Sequence, residues 1–186
     1  MSSSGGPTEE VIFAGAVEGL FFKGLAERVT PQLQQELKSI GLDLTRDLLP
    51  AYPRKVWNAA IPLAAQHVWP MLDVGEAHVR LGRAIIDGFK RTLLGSALAG
   101  MAKVLGPMRT LARMRKNLRT GANYNEVNLT TEADKRVLFW INEPFIHPGY
   151  VQGLIEGSLE ISGGKNNSVV VVTKDEWGAT YRCSWE

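Results

Sequence analysis

Three histidines and one cysteine are the side chains in this sequence with the widest range of chemistry. Zinc sites need clusters of Cys and His at short spacing, but His67, His78 and His147 are scattered along the chain and Cys183 stands alone. We therefore predict no metal site. A haem iron needs only one histidine, so haem is kept as the alternative to our prediction that the protein has no cofactor.

Sequence patterns for nucleophilic or phosphate chemistry are absent as well. Cys183 alternates with aromatic residues on one strand face, where a free cysteine usually behaves as a small buried hydrophobe. No G-x-S-x-G elbow occurs. The segment GGK at 163–165 lacks the upstream glycine of a phosphate loop, because Leu159 stands in that position. We predict that the protein is not an enzyme.

A group of basic residues lies at helical spacing in the segment PMRTLARMRKNLRTG. Arg109, Arg113 and Lys116 fall on one face, which could contact phosphates, anionic lipid headgroups or an acidic partner. The alternative is a solvated face opposite the apolar side of the same helix. No aromatic residues interleave with these arginines, and the net charge of the chain is only +2. We predict no nucleic-acid partner.

An apolar pocket is the site that the residue types favour. Small residues in TLLGSALAGMAKVLG lower the side-chain volume on one wall, and neighbouring helices supply aromatic and aliphatic groups. We expect a cavity for an apolar or aromatic small molecule, oriented by a histidine. The alternative is that the small residues only allow two helices to pack tightly. The predicted binding residues are Trp57, Ile61, His67, His78, Leu81, Ile85, Gly95 and Gly100.

The elements that must position these residues change type near Asn123. Before it, apolar residues recur every three or four positions, and Thr30-Pro31, Asp73 and Pro107 mark helix starts. After it the period becomes two, which predicts two hairpins separated by a helix over 148–162. The fold class is therefore α+β, with five or six N-terminal helices packed on a C-terminal antiparallel ββαββ sheet unit.

The organisation expected from composition is a single domain over 9–186 after a flexible leader over 1–8. The start is not typical of a secretory signal, and no apolar stretch has the length of a membrane span. A lone cysteine suits a reducing compartment, so we expect a cytoplasmic protein. The edges at SVVVV and NEVNLTTE need cover, which favours a homodimer or a protein partner.

Several segments resemble a myxobacterial paralogous family of uncharacterised proteins of about two hundred residues. They are GAVEGLFFKGL, YPRKVWNAAIPLAAQHVWP, LGRAIIDGF, NYNEV and PGYVQGLIEGSLE…YRCSW, and they cover nearly the whole chain after the leader. The resemblance implies an identity but no activity.

A more distant similarity is to the vinyl-reductase-like sensor domains, which share a fold with haem–nitric-oxide-binding domains and Bet3-type tethering subunits. The segments LGRAIIDGF and GYVQGLIEG carry it. It implies a pocket for an apolar ligand and often a dimer. The zinc-binding C-terminal cysteines and the tyrosine–serine–arginine haem signature of such domains are absent, since Tyr181 is followed by Arg182, Cys183 and Ser184.

Together these observations predict a non-catalytic ligand-binding or sensory domain that acts in signalling. The alternative is an interaction or scaffold subunit of a cytoplasmic complex, with a filled core.

Overall fold

Helices precede a four-stranded sheet in the computed structural model, which describes residues 9–186. The first helix, which begins at Ala14, continues as π-helical turns over Glu18–Leu25 and as a 3₁₀ turn over Ala26–Arg28. The helices are α1 (Ala14–Val17), α2 (Pro31–Ser39), α3 (Arg54–Val68), α4 (Val74–Phe89), α5 (Leu93–Ala112), α6 (Met114–Leu118) and α7 (Pro148–Ile161). The strands are β1 (Val11–Phe13), β2 (Ala51–Pro53), β3 (Val127–Ala133), β4 (Arg136–Ile141), β5 (Ser168–Lys174) and β6 (Ala179–Ser184). The predicted α+β class, with helices followed by a ββαββ unit, is confirmed.

The helix starts follow local capping chemistry. The Thr30 hydroxyl accepts a hydrogen bond from the backbone N–H of Leu33 at 3.2 Å, and Pro31 follows in the first turn. The carboxylate of Asp73 accepts from the N–H of Glu76 at 3.0 Å. Both caps are confirmed predictions. None of the described helices has the length and apolar character needed to cross a membrane.

The N-terminal strand pairs with a strand that the sequence pattern did not predict. β1 lies antiparallel to β2, with Ile12 opposite Tyr52. The next residues, Gly15 to Val17, are helical. A backbone bond from Arg54 to the carbonyl of Glu10, at 2.8 Å, joins the start of α3 to this small sheet.

The larger sheet has the order β3-β4-β6-β5, all antiparallel. Its inner face is buried, with Val137 opposite Cys183 and Phe139 opposite Tyr181. The hydroxyl of Tyr181 donates to the carbonyl of Pro148 at 3.1 Å, which ties the inner face to α7. The outer face is less covered, since Val170 on β5 is exposed there.

Helices α4 and α7 pack with their backbones in close approach. A Cβ added at Gly82 would meet the carbonyl oxygen of Tyr150, and one added at Gly153 would meet the carbonyl oxygen of Val79. Glycine at these two positions is therefore a requirement of packing.

Helix α5 is broken at Gly106, whose φ of 77° lies in the left-handed region that favours glycine. The hydroxyl of Thr110 donates to the carbonyl of Ala102 at 3.3 Å, which shows that the chain folds back at the break. Pro107 starts the second part of the helix, as predicted, where its missing N–H is tolerated.

Candidate functional site

An apolar cavity of about 340 Å³ lies between the helices that precede the sheet and helix α7. Its walls come from α1 and the π-helical turns, the C-terminal end of α4, the first part of α5, α6 and α7. The end of β4 closes one side through Ile141. The size and lining are those expected of a small-molecule pocket.

Helix α5 supplies the wall with the smallest side chains. Gly95, Leu98, Ala99 and Ala102 line the cavity, and their spacing places them on one face of the helix. Ile85 and Phe89 of α4 lie at the same cavity.

One part of the cavity wall is polar. Glu143 and Tyr124 line the cavity, and both are buried, Glu143 with only 5% of its surface exposed. Behind them, Arg54 donates from Nη2 to Glu143 Oε1 at 2.8 Å and from Nη1 to Glu10 Oε2 at 2.9 Å. The Arg54 guanidinium carbon also lies 4.1 Å from the centre of the Tyr124 ring. A buried carboxyl group therefore lies at an apolar cavity, with Arg54 behind it and Tyr124 beside it.

Burial controls the ionisation of these groups. It raises the pKa of Tyr124 and of Tyr150, so both side chains remain O–H groups. Burial also raises the pKa of Glu143, while the guanidinium of Arg54 opposes that shift. The cavity wall therefore carries a phenolic O–H group and a carboxyl group, which interact with each other, beside its apolar surface.

The predicted binding residues divide into those at the cavity and those apart from it. Trp57, Ile85 and Gly95 line the cavity. Ile61 and Leu81 are fully buried in the core and do not line it. Gly100 is exposed, and a Cβ added there would meet no atom within 4 Å.

The two histidines predicted at the site lie elsewhere. His67 Nε2 lies 2.9 Å from Glu36 Oε2, and His78 Nδ1 lies 2.7 Å from the carbonyl oxygen of Val74. The ring of His78 packs against that of His147, with centroids 4.8 Å apart. The prediction that a histidine orients a ligand in this cavity therefore has no geometric support.

The remaining reactive or charged candidates lie away from the cavity. Arg109, Arg113 and Lys116 are on the surface. Cys183 is fully buried, and burial raises the pKa of its thiol to about 12. No group of three or more His, Cys, Asp or Glu side chains arranged for a metal ion occurs within residues 9–186.

Sequence reasoning missed the polar part of the cavity. Glu143 follows Ile141 at the end of a buried strand, and a charged residue in that position is a usable signal. Its partner Arg54 lies 89 residues away, so local patterns do not reveal the pair.

Comparison with known proteins identifies the family. Residues 10–186 match the family described as "Protein of unknown function (DUF2378)". The chain belongs to this family. No curated protein is significantly similar to it.

The fold of this DUF2378 chain can be compared with solved structures. One is an oxygen-binding H-NOX domain related to soluble guanylate cyclases, with a TM-score of 0.64 and 20% identity, covering 92% of this chain and 94% of that one. Another is the Fe(II) unliganded H-NOX protein from K. algicida, with a TM-score of 0.63 and 9% identity, covering 92% and 95%. At these identities the likeness establishes the fold, which confirms the predicted distant similarity to haem–nitric-oxide-binding domains.

The prediction of no cofactor is contradicted by this comparison. A third structure, with a TM-score of 0.64 and 21% identity over 92% of this chain and 94% of that one, comes from work on haem redox potential modulated through porphyrin distortion. That structure is of a haem protein with the fold of this chain, so the sequence pattern does not justify the prediction of no cofactor.

The fit of haem depends on the donors that line the cavity. Within the described residues, no histidine lines it. The donors there of kinds that hold haem iron in proteins are the thioether of Met114 and the phenols of Tyr124 and Tyr150. The raised pKa of both phenols disfavours the phenolate that would bind iron. The lining residues do not fit a histidine-ligated haem.

Proposed function

We propose that this chain is a non-catalytic sensor domain that binds an apolar small molecule in the cavity beside α5. The observation that carries the proposal is the open volume of about 340 Å³ against the small-residue face of α5. The polar wall at Glu143 and Tyr124 supplies a hydrogen-bonding point for such a molecule. The fold supports the same proposal, because one H-NOX domain with this fold is described as oxygen-binding.

Small residues on α5 have different roles along the helix. A Cβ added at Gly95 would meet the carbonyl oxygen of Phe89, so Gly95 is required by tight packing at the start of the helix. Ala99 and Ala102 instead line the open volume and are only partly buried. An interaction module with a filled core, the alternative function, is less well supported because this volume remains beside α5.

Filling the cavity from its α5 wall tests the proposal. Ala102→Leu places a larger side chain in the volume, whereas Ala112→Leu changes an exposed alanine of the same helix and is the matched control. The probes are haem, followed by its Soret absorbance, and the dye 1-anilinonaphthalene-8-sulfonate, followed by its fluorescence. We expect Ala102→Leu to weaken binding of the bound probe at least about tenfold, in line with the loss of one well-filled apolar contact.

Two results would contradict the proposal. One is that neither haem nor the dye binds to the folded protein. The other is an equal effect of Ala102→Leu and Ala112→Leu on binding, with both variants folded by circular dichroism. If haem binds and Ala102→Leu weakens that binding, the ligand class is haem or a similar porphyrin.

A further inference from the structure

The surface of α5 opposite the cavity is apolar, although it faces solvent. Leu93, Ala97, Gly100, Met101 and Val104 are all exposed, and their spacing places them on one face of the helix. Leu93 is 92% exposed and Val104 is 87% exposed. A helix that is apolar on both faces is usually covered on both, so this face requires an occupant.

The charge around this face is strongly one-sided. The segment from Gly88 to Asn125 contains no aspartate or glutamate, although the whole chain has a net charge of only +2. The rest of the chain is therefore net negative. The basic residues of the segment are Lys90, Arg91, Lys103, Arg109, Arg113, Arg115, Lys116 and Arg119.

Acidic partners within the described residues neutralise only part of this group. Glu126 pairs with Arg115 and Arg119, and Asp87 pairs with Lys90. For Lys103, Arg109, Arg113 and Lys116, residues 9–186 supply no carboxylate within salt-bridge distance. Arg113 Nη1 instead lies 3.3 Å from the sulfur of Met101. That contact places a cation without a carboxylate partner directly beside the exposed apolar face of α5.

We propose that the outward face of α5 and the basic residues around it dock on an anionic lipid surface. A surface helix with exposed aliphatic groups and flanking cations buries the former among acyl chains while the latter meet headgroup phosphates. A second copy of the chain is a poor occupant, because two faces of this charge repel each other. Nucleic acid is also disfavoured, since aliphatic groups occupy the positions where bases need aromatic side chains.

The proposal concerns the side of α5 away from the cavity and does not depend on the proposed ligand. It describes contact with one leaflet of a membrane. Cations and aliphatic groups contribute separately to such binding, so each set has its own test.

The experiment is vesicle flotation of the full chain with phosphatidylcholine alone and with added phosphatidylserine, at low and high salt. We expect binding only to the vesicles that contain phosphatidylserine, with a loss at high salt. Each basic residue near an anionic surface contributes about a fivefold factor, so Arg109→Gln with Arg113→Gln should lower the partition coefficient about 25-fold. Leu93→Ser with Val104→Ser should lower it at least about tenfold.

Matched controls change exposed residues away from this face. Met71 is as exposed as Leu93 but precedes the N-terminal end of α4, whereas α5 follows its C-terminal end. The double variant Met71→Ser with Val170→Ser therefore controls for loss of surface hydrophobicity. Lys55→Gln with Lys174→Gln controls for loss of charge. Circular dichroism checks that each variant is folded. We expect folded variants because the substituted positions are exposed.

Three results with vesicles would overturn the proposal. The first is absence of binding to vesicles with phosphatidylserine, and the second is equal binding to phosphatidylcholine alone. The third is an equal loss in the control variants. Binding of a DNA duplex or an acidic protein that depends on Arg109 and Arg113, without vesicle binding, would also overturn it and assign the face to that partner.

Discussion

The side chain of Arg54 forms a buried ion pair on which the stability of the protein depends. It is 8% exposed, bonds the buried carboxylate of Glu143 and lies over the ring of Tyr124. Removing one partner leaves the other charge buried and unpaired. We expect Arg54→Ala to lower the free energy of unfolding by about 3–5 kcal/mol, measured by urea denaturation.

A surface pair provides the comparison for that variant. Arg80 bonds Glu76 at 2.7 Å, but both side chains are about half exposed. We expect Arg80→Ala to cost about 0.5 kcal/mol or less, as exposed i,i+4 pairs do. Equal effects of the two variants would show that the Arg54 pair is solvated in solution.

His147 gives the stability of the protein a dependence on pH. Burial, followed by repulsion from His78, holds the pKa of His147 below its usual value of 6.5. The unfolded chain therefore takes up a proton first as the pH falls. We expect the free energy of unfolding to be highest above pH 6.5 and to decrease as the pH falls below it, measured by denaturation across that range.

An asparagine at the same position separates this titration from the cap. The Nδ1 atom of His147 accepts from the N–H of Gly149 at the start of α7, and asparagine is also a good N-cap. His147→Asn should therefore keep the helix start while flattening the decrease of stability at acid pH. An unchanged slope would place the titration at other groups.

For single residues, the sequence predicted the helix face of a side chain better than the group that the side chain contacts. His67 was expected to face a ligand because it lies on an apolar helical face, but its ring reaches Glu36. Periodicity defines the face of a helix, whereas the neighbouring element decides what that face meets. Glu143 was missed because its burial depends on Arg54, whose distance along the chain leaves no local signal.

Helices α4 and α7 depend on glycine where their backbones meet. A Cβ at Gly82 would meet the carbonyl oxygen of Tyr150, which is backbone and cannot move independently. We expect Gly82→Ala to lower the free energy of unfolding by about 1–3 kcal/mol or more, as overpacked sites do. Thermal unfolding followed by circular dichroism measures this.

Gly100 of α5 provides a matched control with the opposite expected sign. A Cβ there meets nothing within 4 Å. Alanine is the better helix former by about 1 kcal/mol, so Gly100→Ala should stabilise the protein by up to that amount. Destabilisation by both variants to the same extent would contradict the difference in packing.

Elements with local signals were predictable, and the others were not. Thr30 and Asp73 cap helices through bonds to residues three positions away, which a sequence displays directly. Strand β2 has only three residues and pairs with β1 across a long separation. Such a short strand shows no alternation, so only its partner defines it.

The assembly state of the whole molecule stays a prediction from its sheet edges. β3 and β5 are the outer strands of the larger sheet, and the sequence favoured a dimer to cover such edges. We expect light scattering to give a dimer mass at high concentration. Val172→Lys, at an exposed position of β5, should shift the mass towards the monomer, and a strictly monomeric wild type would contradict the prediction.

The overall architecture was predictable because the change of period near Asn123 divides the chain into its helical and sheet parts. The state of the outer sheet face was not. Leu138 and Trp140 are apolar residues on the outer face of β4, and the structure leaves them half-buried beside the exposed Arg182. Side chains of neighbouring strands partly shield each other on the same face of a sheet. Apolar residues on that face therefore do not require a covering layer of other elements.

Burial of the only cysteine in an inner strand of the sheet has a practical consequence. Cys183 is fully buried, and its thiol has a pKa of about 12, so a disulfide reagent at neutral pH can label it only when the sheet opens. The labelling rate then reports the equilibrium between closed and open protein. A molecule that binds only the closed form slows labelling by the factor 1 + [L]/Kd. Thiol kinetics can therefore measure the affinity of a ligand that has no colour or fluorescence of its own.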